Sequence, residues 1–289
     1  MAGEKIGFIG IGVMGNPMSK NLLKAGFDVT VFDLVRSRAM EAVKAGAKIA
    51  TSDAKVAENS DIVIVMVYDT DDARRAIFGR RGVWETVRPG TTIIFTCTID
   101  PFFCKEVAAK GKQKGINVLD VAVSGAGQPV RDGTVTLLAG GDKAVLDRCM
   151  PVLTAMGKKV YHLGGIGSGE ITKICNNYII STTSAMISDC IKIASRAGLD
   201  LDKFHEALMN SSARSNTLEK NWGSLSRETN KSGEKVVKKA PRNLFKDLRL
   251  AAGLGTSYGI KVPLAALTSQ LDLERYEPVS KKEPARGKR

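Results

Sequence analysis

The sequence predicts an α/β fold in two parts, a doubly wound parallel sheet over residues 1–164 and an all-helical domain over residues 165–289. Three observations carry this. Strand-like and helix-like patterns alternate through the first half, as they do when helices cover both faces of a parallel sheet. From Thr172 onward the alternation stops and long helical spacing takes over. A glycine cluster, Gly164–Gly169, marks the change, and 289 residues suit two domains better than one.

Each element has its own signature. KIGFIGIG opens as an apolar strand and turns into glycines. NPMSKNLLKAG has helical spacing, with Pro17 in the first turn, where its missing N–H costs little. DVTVFD is a second strand, and SRAMEAVKAGA a helix stopped near Gly46. DIVIVMV is a near-continuous apolar run, the pattern of a strand buried on both faces. TTIIFTCT and INVLDVAV add two more strands. In the second half ITKICNNYIISTTSAMISDCIKIASRAG is one long helix ending near Gly198, followed by helices in LDKFHEALMNSS and LFKDLRLAAGLGTSYG.

Gly10-Ile11-Gly12-Val13-Met14-Gly15 is a G-x-G-x-x-G that follows a strand, opens a helix and precedes an acid, Asp33, at the end of the next strand. In that context the glycines permit a tight turn and let the backbone approach a pyrophosphate resting on the helix N-terminus. The first domain is therefore expected to be of Rossmann type and to bind NAD or NADP. Asp33 is placed to accept hydrogen bonds from the adenosine ribose and would repel a 2′-phosphate, which favours NAD. Arg36 and Arg38 follow at once and are the residues that would cradle that phosphate instead.

In GIGSGEITKICNNY, residues 165–178, Lys173 sits inside a largely apolar helix with Asn177 one turn on. Residues four apart share a helix face, whereas Asn176 points elsewhere. A lysine and an amide at the mouth of a nucleotide domain suit carbonyl reduction: the ammonium gives a proton to the oxygen while hydride reaches the carbon, and takes one back in the reverse direction. Partial burial would lower its pKa toward the working pH. The bland alternative is a lysine whose stem lies on the helix and whose head is in solvent. Competing chemistries lack their parts. No Y-x-x-x-K occurs, and the five cysteines and two histidines, His162 and His205, form no cluster for zinc or for a disulfide framework, so no metal is expected.

The net charge of +13 is concentrated in KSGEKVVKKAPR (231–242) and SKKEPARGKR (280–289). Solvated loop and tail are the simplest account. A nucleic-acid contact is not expected, because no aromatic side chains are interleaved to stack on bases. No apolar run approaches the length of a membrane span, and the opening MAGEKIGFIG lacks the regions of a signal peptide. A cytoplasmic setting is expected.

Four ordered blocks, GFIGIGVMGNPMSKNLLKAG, DVAVSGAGQPVRDGTVTLLAGG, GGIGSGEITKICNN and FKDLRLA, closely resemble the β-hydroxyacid dehydrogenases. That group includes the 3-hydroxyisobutyrate, tartronate semialdehyde and γ-hydroxybutyrate enzymes, with 6-phosphogluconate dehydrogenase a more distant relative. The likeness runs from about Lys5 to about Leu267. It implies Lys173 as the catalytic lysine with Asn177 as its partner, and Ser124 and Gly125, followed by Ala126, as the loop that holds the substrate carboxylate. It also implies Val67, Tyr68 and Thr98 as cofactor contacts, with Lys246 of the K-D-L block reaching the cofactor from the helical domain. The expected partners are a small carboxylate substrate and further copies of the chain, as a dimer or tetramer. Departures are Tyr68 for a proline, Ala126 for the second glycine of the substrate loop, Cys97 for a common serine and Phe95 for a frequent aspartate. The basic residues around Lys235–Lys239 replace a more apolar segment, and the chain ends in YEPVSKKEPARGKR rather than a final helix.

Two functions of different class follow. One is an NAD(P)-dependent oxidoreductase acting on a small β-hydroxy acid or the matching semialdehyde, with a lysine as general acid and base. The other is a non-catalytic binding protein that keeps the dehydrogenase fold and uses its basic segments on nucleic acid. A steep salt dependence of DNA binding would favour the second.

Overall fold

The computed structural model describes residues 3–226 and 242–270. The basic stretch from Lys231 to Pro241 and the tail from Ser280 lie outside the described residues. Two compact units divide at Ile174/Cys175.

The first unit is built on one eight-stranded sheet, ordered β3-β2-β1-β4-β5-β6-β7-β8. Its strands are β1 (Lys5–Ile9), β2 (Asp28–Phe32), β3 (Lys48–Ile49), β4 (Ile62–Val65), β5 (Thr92–Phe95), β6 (Asn117–Ser124), β7 (Val135–Gly141) and β8 (Gly157–His162). Between them run α1 (Gly15–Lys24), α2 (Arg36–Lys44), α3 (Asp53–Glu58), α4 (Thr70–Phe78), α5 (Pro101–Gln113), α6 (Gln128–Arg131) and α7 (Lys143–Met156). The period-2 pleat sorts each strand's side chains onto two cores. Ile62 and Ile64 of β4 join Met18 and Leu22 of α1 and Ala39 and Ala42 of α2. Val63 and Val65 face the other way, onto Ala73 and Ile77 of α4 and Phe103 and Val107 of α5. Burying each such aliphatic side chain stabilises the fold by about 1.5–3 kcal/mol. A strand apolar at every position is what this two-sided covering demands.

The strands read from the sequence run parallel, from β2 through β6. The sheet is mostly parallel, as expected; its one antiparallel pairing is β7 on β6, with Ser124 opposite Thr136. The physical reason is the connection: Gly125–Thr134 holds only the one-turn α6, too little chain to cross back to the start of a parallel strand. β8 then lies parallel to β7 after α7.

Helix α8 (Ser168–Arg196) leaves the sheet and continues into the second unit. That unit's described elements are all helical: the rest of α8, α9 (Leu201–Met209), α10 (Asn216–Ser226), α11 (Arg242–Ser257) and α12 (Pro263–Gln270). Ile187, Ile191, Leu218 and Trp222 form a core there. The architecture is thus a Rossmann-type sheet domain followed by a helical domain.

Candidate active site

The glycine turn between β1 and α1 is sterically committed. Gly10 has φ +91°, and a Cβ on it would strike the Met66 carbonyl, while a Cβ on Gly15 would strike the carbonyl of Gly10. Gly12 differs: a Cβ there would meet nothing within 4 Å, and the neighbouring Val13 is 91% exposed. Helix α1 begins behind this open surface with no acidic residue in its first turn and no side-chain cap hydrogen bond on Met14. Its N-terminal partial charge is left for an external anion. Ile11, Gly12 and Val13 border a cleft of about 550 Å³ that is also lined by Lys20, Arg38 and Arg131. These features fit a dinucleotide's pyrophosphate.

Asp33 directly follows β2, beside this turn. Its Oδ2 accepts from the Ile11 amide and its Oδ1 from the Val35 amide, both at 2.8 Å. Arg38 lies 3.9 Å from Oδ1. Each carboxylate oxygen has a second lone pair, so ribose hydroxyls remain acceptable partners. Asp33 therefore also fixes the turn that carries the glycines, which spacing alone did not reveal.

Because β1, β2, β4, β5 and β6 are parallel, their carboxyl ends lie along one edge of the sheet. That edge gathers the glycine turn, Asp33, Val67 and Tyr68 after β4, Thr98 after β5, and Ser124 at the end of β6. Tyr68 is half-exposed, while Val67, Thr98 and Ser124 are partly buried. Beyond Ser124, Gly125 takes φ +131°, Ala126 is exposed and Gly127 takes φ +69°. Left-handed backbone on both sides turns the chain sharply away from the strand.

Lys173 lies on the first unit's side of the division and is partly buried. The first turn of α8 is tied down by residues that the sequence reading passed over. Asp120, fully buried in mid-β6, accepts from the Gly167 amide at 2.7 Å and the Glu170 amide at 2.9 Å. Burial pushes its carboxyl up to about 6, the backbone hydrogen bonds opposing that rise. Glu170 is also fully buried, and its Oε2 accepts from the Ile99 amide at 3.1 Å. Ile99 follows Thr98, so the turn before Lys173 is joined to the loop carrying Thr98. A lone acid inside the apolar strand INVLDVAV was the available signal for Asp120.

In the second unit Asn177 donates through Nδ2 to Asp247 Oδ2 at 2.6 Å, and Asn176 Nδ2 donates to Asn177 Oδ1 at 3.0 Å. Lys246 lies 2.8 Å from Asp247 Oδ1. Asp247, buried and holding both Asn177 and Lys246, is a further residue the sequence reading missed; it sits beside Lys246 in the K-D-L block. His162 Nε2 hydrogen-bonds with the Gly141 carbonyl at 2.9 Å, and His205 stacks on Trp222 with ring centroids 4.5 Å apart. No group of three or more metal-ligating side chains occurs among the described residues, and no described helix is long and apolar enough to cross a membrane.

Residues 5–164 match the family model described as the NAD binding domain of 6-phosphogluconate dehydrogenase. Residues 167–277 match the family model described as NAD-binding of NADP-dependent 3-hydroxyisobutyrate dehydrogenase. The chain is 32% identical to 2-(hydroxymethyl)glutarate dehydrogenase of Eubacterium barkeri, over 92% of this chain and 87% of that one. It is 33% identical to 2-hydroxy-3-oxopropionate reductase of Escherichia coli, over 92% and 89%. It is 30% identical to NAD-dependent L-serine dehydrogenase of Pseudomonas aeruginosa, over 93% and 91%. Among solved structures, Mycobacterium tuberculosis 3-hydroxyisobutyrate dehydrogenase with L-serine superposes with a TM-score of 0.82 at 28% identity, covering 93% of this chain and 92% of that one. With the glycine turn, the acid after β2 and the helical second unit, these likenesses make the chain a member of the β-hydroxyacid dehydrogenase family, an NAD(P)-dependent oxidoreductase.

Proposed function

We propose that the enzyme interconverts a 3-hydroxy acid bearing a primary alcohol and its semialdehyde, with Lys173 as general acid and base. The observation that carries this is the partly buried Lys173, one turn beyond a helix start held by two buried carboxylates and joined to the Thr98 loop. The substrates named for the relatives share one unit, a CH2OH or aldehyde carbon next to the carbon that bears the carboxylate. They differ in the third substituent, which is hydroxyl, amino or a carboxyethyl chain. Residues 1–164 serve as the nucleotide domain and 165–289 as the substrate domain.

When bound, NAD(P) supplies or accepts the hydride at the substrate carbon. The chain's own groups do the rest. In the Gly10–Gly15 turn the backbone amides from Gly12 onward hold the pyrophosphate, those of Gly10 and Ile11 being taken by Phe32 and Asp33, and Asp33 holds the ribose. Val67, Tyr68, Thr98 and Lys246 contact the cofactor further along. The Ser124 hydroxyl and the Gly125 amide take the substrate carboxylate, and the Ala126 methyl limits the room beside it. Lys173 Nζ gives a proton to the carbonyl oxygen in reduction and removes it in oxidation, while Asn177 orients the lysine and that oxygen. A cytoplasmic setting and a dimer or tetramer complete the proposal. Ile179, Met186 and Ile193, exposed at seven-residue spacing along α8, give such an assembly an apolar face to cover.

The test is a panel of 3-hydroxy acids differing only in that third substituent, assayed with NAD and with NADP at alkaline pH. Turnover of at least one acid is expected; silence across the panel would sink the proposal. Two variants refine it. Asp33→Ser should lower the NAD-to-NADP ratio of kcat/KM by about 10-fold, equivalent to about 1.4 kcal/mol. Equal or better use of NADP by the unaltered enzyme would show that Arg36 and Arg38 dominate. Ser124→Ala should raise KM for the acid by about 10-fold, the loss of one hydrogen bond to a charged group, with the Kd for NAD unchanged. A parallel fall in NAD affinity would mean the loop does not belong to the substrate.

A further inference from the structure

We infer that Asp120 and Glu170 are positioning residues that seat the first turn of α8 and thereby aim Lys173 at the reacting oxygen; this rests on the proposed role of Lys173. Both side chains are fully buried, so neither touches substrate. Asp120 performs from the sheet the task usually given to an N-cap, accepting two amides at the helix start, Gly167 N–H and Glu170 N–H. Glu170 then extends the tie sideways to the Ile99 amide. One carboxylate thus fixes α8 on β6, and the other fixes it on the loop after β5.

The packing around this seat leaves no slack. A Cβ on Gly140 of β7 would come within 2.5 Å of Asp120 Oδ1 and 2.8 Å of both the Gly165 carbonyl and the Ser168 amide. A Cβ on Gly169 would strike the Leu138 carbonyl and lie 3.0 Å from Asp120 Oδ2. Two glycines, one from β7 and one from α8, let the helix backbone close directly over the carboxylate. With about 100° of rotation per residue, a slip of the helix by one position would carry Lys173 to another face. A misplacement of about 1 Å at a reacting group can cost about 10²-fold in rate. Seating of this kind is therefore worth a large part of the lysine's effect, although neither carboxylate takes part in the proton transfer.

The experiment uses the full-length enzyme with NAD and the best acid of the panel. Glu170→Ala should lower kcat about 10–100-fold, with KM and the Kd for NAD changed less than about threefold. Glu170→Gln keeps an oxygen for the Ile99 amide and should return kcat to within about threefold of the unaltered enzyme. Gly140→Ala, which crowds Asp120 without touching Lys173, should repeat the kcat-selective loss, and it serves as the second probe should Glu170→Ala not fold. In the Lys173→Ala background, Glu170→Ala should cause no further fall. Unchanged kcat in both Glu170→Ala and Gly140→Ala would overturn the inference, as would a fall that persists in full without Lys173. Amide hydrogen exchange over residues 167–171 reads the seat without turnover, and protection there should drop in Glu170→Ala and recover in Glu170→Gln. Near-normal turnover of Lys173→Ala, with exchange behaving as stated, would instead refute the role of Lys173 and leave the seat standing.

Discussion

Replacing Lys173 with alanine should lower kcat by about 10²–10⁴-fold, the usual scale for loss of a general acid–base group. The side chain stands one turn past the Asp120–Glu170 seat, so its removal takes away a proton donor without disturbing the hydrogen bonds that hold the helix start. Lys173→Arg should fare little better, because a guanidinium does not release its proton near neutral pH. Both variants should bind NAD with unchanged Kd, since the glycine turn and Asp33 directly follow β1 and β2, away from α8 in the chain. The pH profile of kcat should lose the limb that reports this lysine. Steady-state kinetics with fluorescence titration of NADH check all four points, and wild-type kcat in Lys173→Ala would reduce the residue to a lysine with its head in solvent.

The second large effect is on stability. Asp120→Ala strips the buried Gly167 and Glu170 amides of their acceptor, and about 1–3 kcal/mol is lost for each such orphaned donor. Relief from burying a carboxylate offsets part of this, leaving a net loss of about 2–4 kcal/mol at pH 7. The pH dependence has a definite sign. The Asp120 carboxyl is raised in the fold from 3.8 to about 6, so between those values the folded state keeps a proton that the unfolded state has released. Its contribution to stability is full below about pH 4 and declines as pH rises to 6, by about 3 kcal/mol in all. Urea unfolding of both proteins at pH 4, 5, 6 and 7 should therefore show a gap between wild type and Asp120→Ala that narrows toward pH 6. A gap that widens with pH would mean the carboxylate is stabilised rather than strained by its surroundings.

What the sequence disclosed and what it hid divide along physical lines. The glycine turn, Asp33 and the long helix around Lys173 were legible because each is a local pattern: fixed spacing, a strand before it, a helix after it. The all-buried IVIV of β4 announced two-sided packing by composition alone. The direction of β7 was hidden, because it depends on how far the Gly125–Thr134 connection can reach. β3, a strand of two residues, is too short to show any period. Asp120, Glu170 and Asp247 were hidden because their roles exist only once distant segments meet. Asp120 answers amides 47 and 50 residues later, and Asp247 answers Asn177 across 70 residues. Nothing in a local window distinguishes such an acid from a stray charge.

Hydride transfer between the nicotinamide and the substrate carbon can be followed with an isotope. The semialdehyde of the panel acid that is turned over best would be reduced by the enzyme with NADH carrying deuterium on the transferable face of nicotinamide C4, and the product analysed by mass spectrometry. The expected product is the hydroxy acid with one deuterium on the former aldehyde carbon, formed at a rate that falls about 10²–10⁴-fold in Lys173→Ala. A hydroxy acid without deuterium at that carbon, or formation equally fast in Lys173→Ala, would contradict hydride transfer assisted by Lys173.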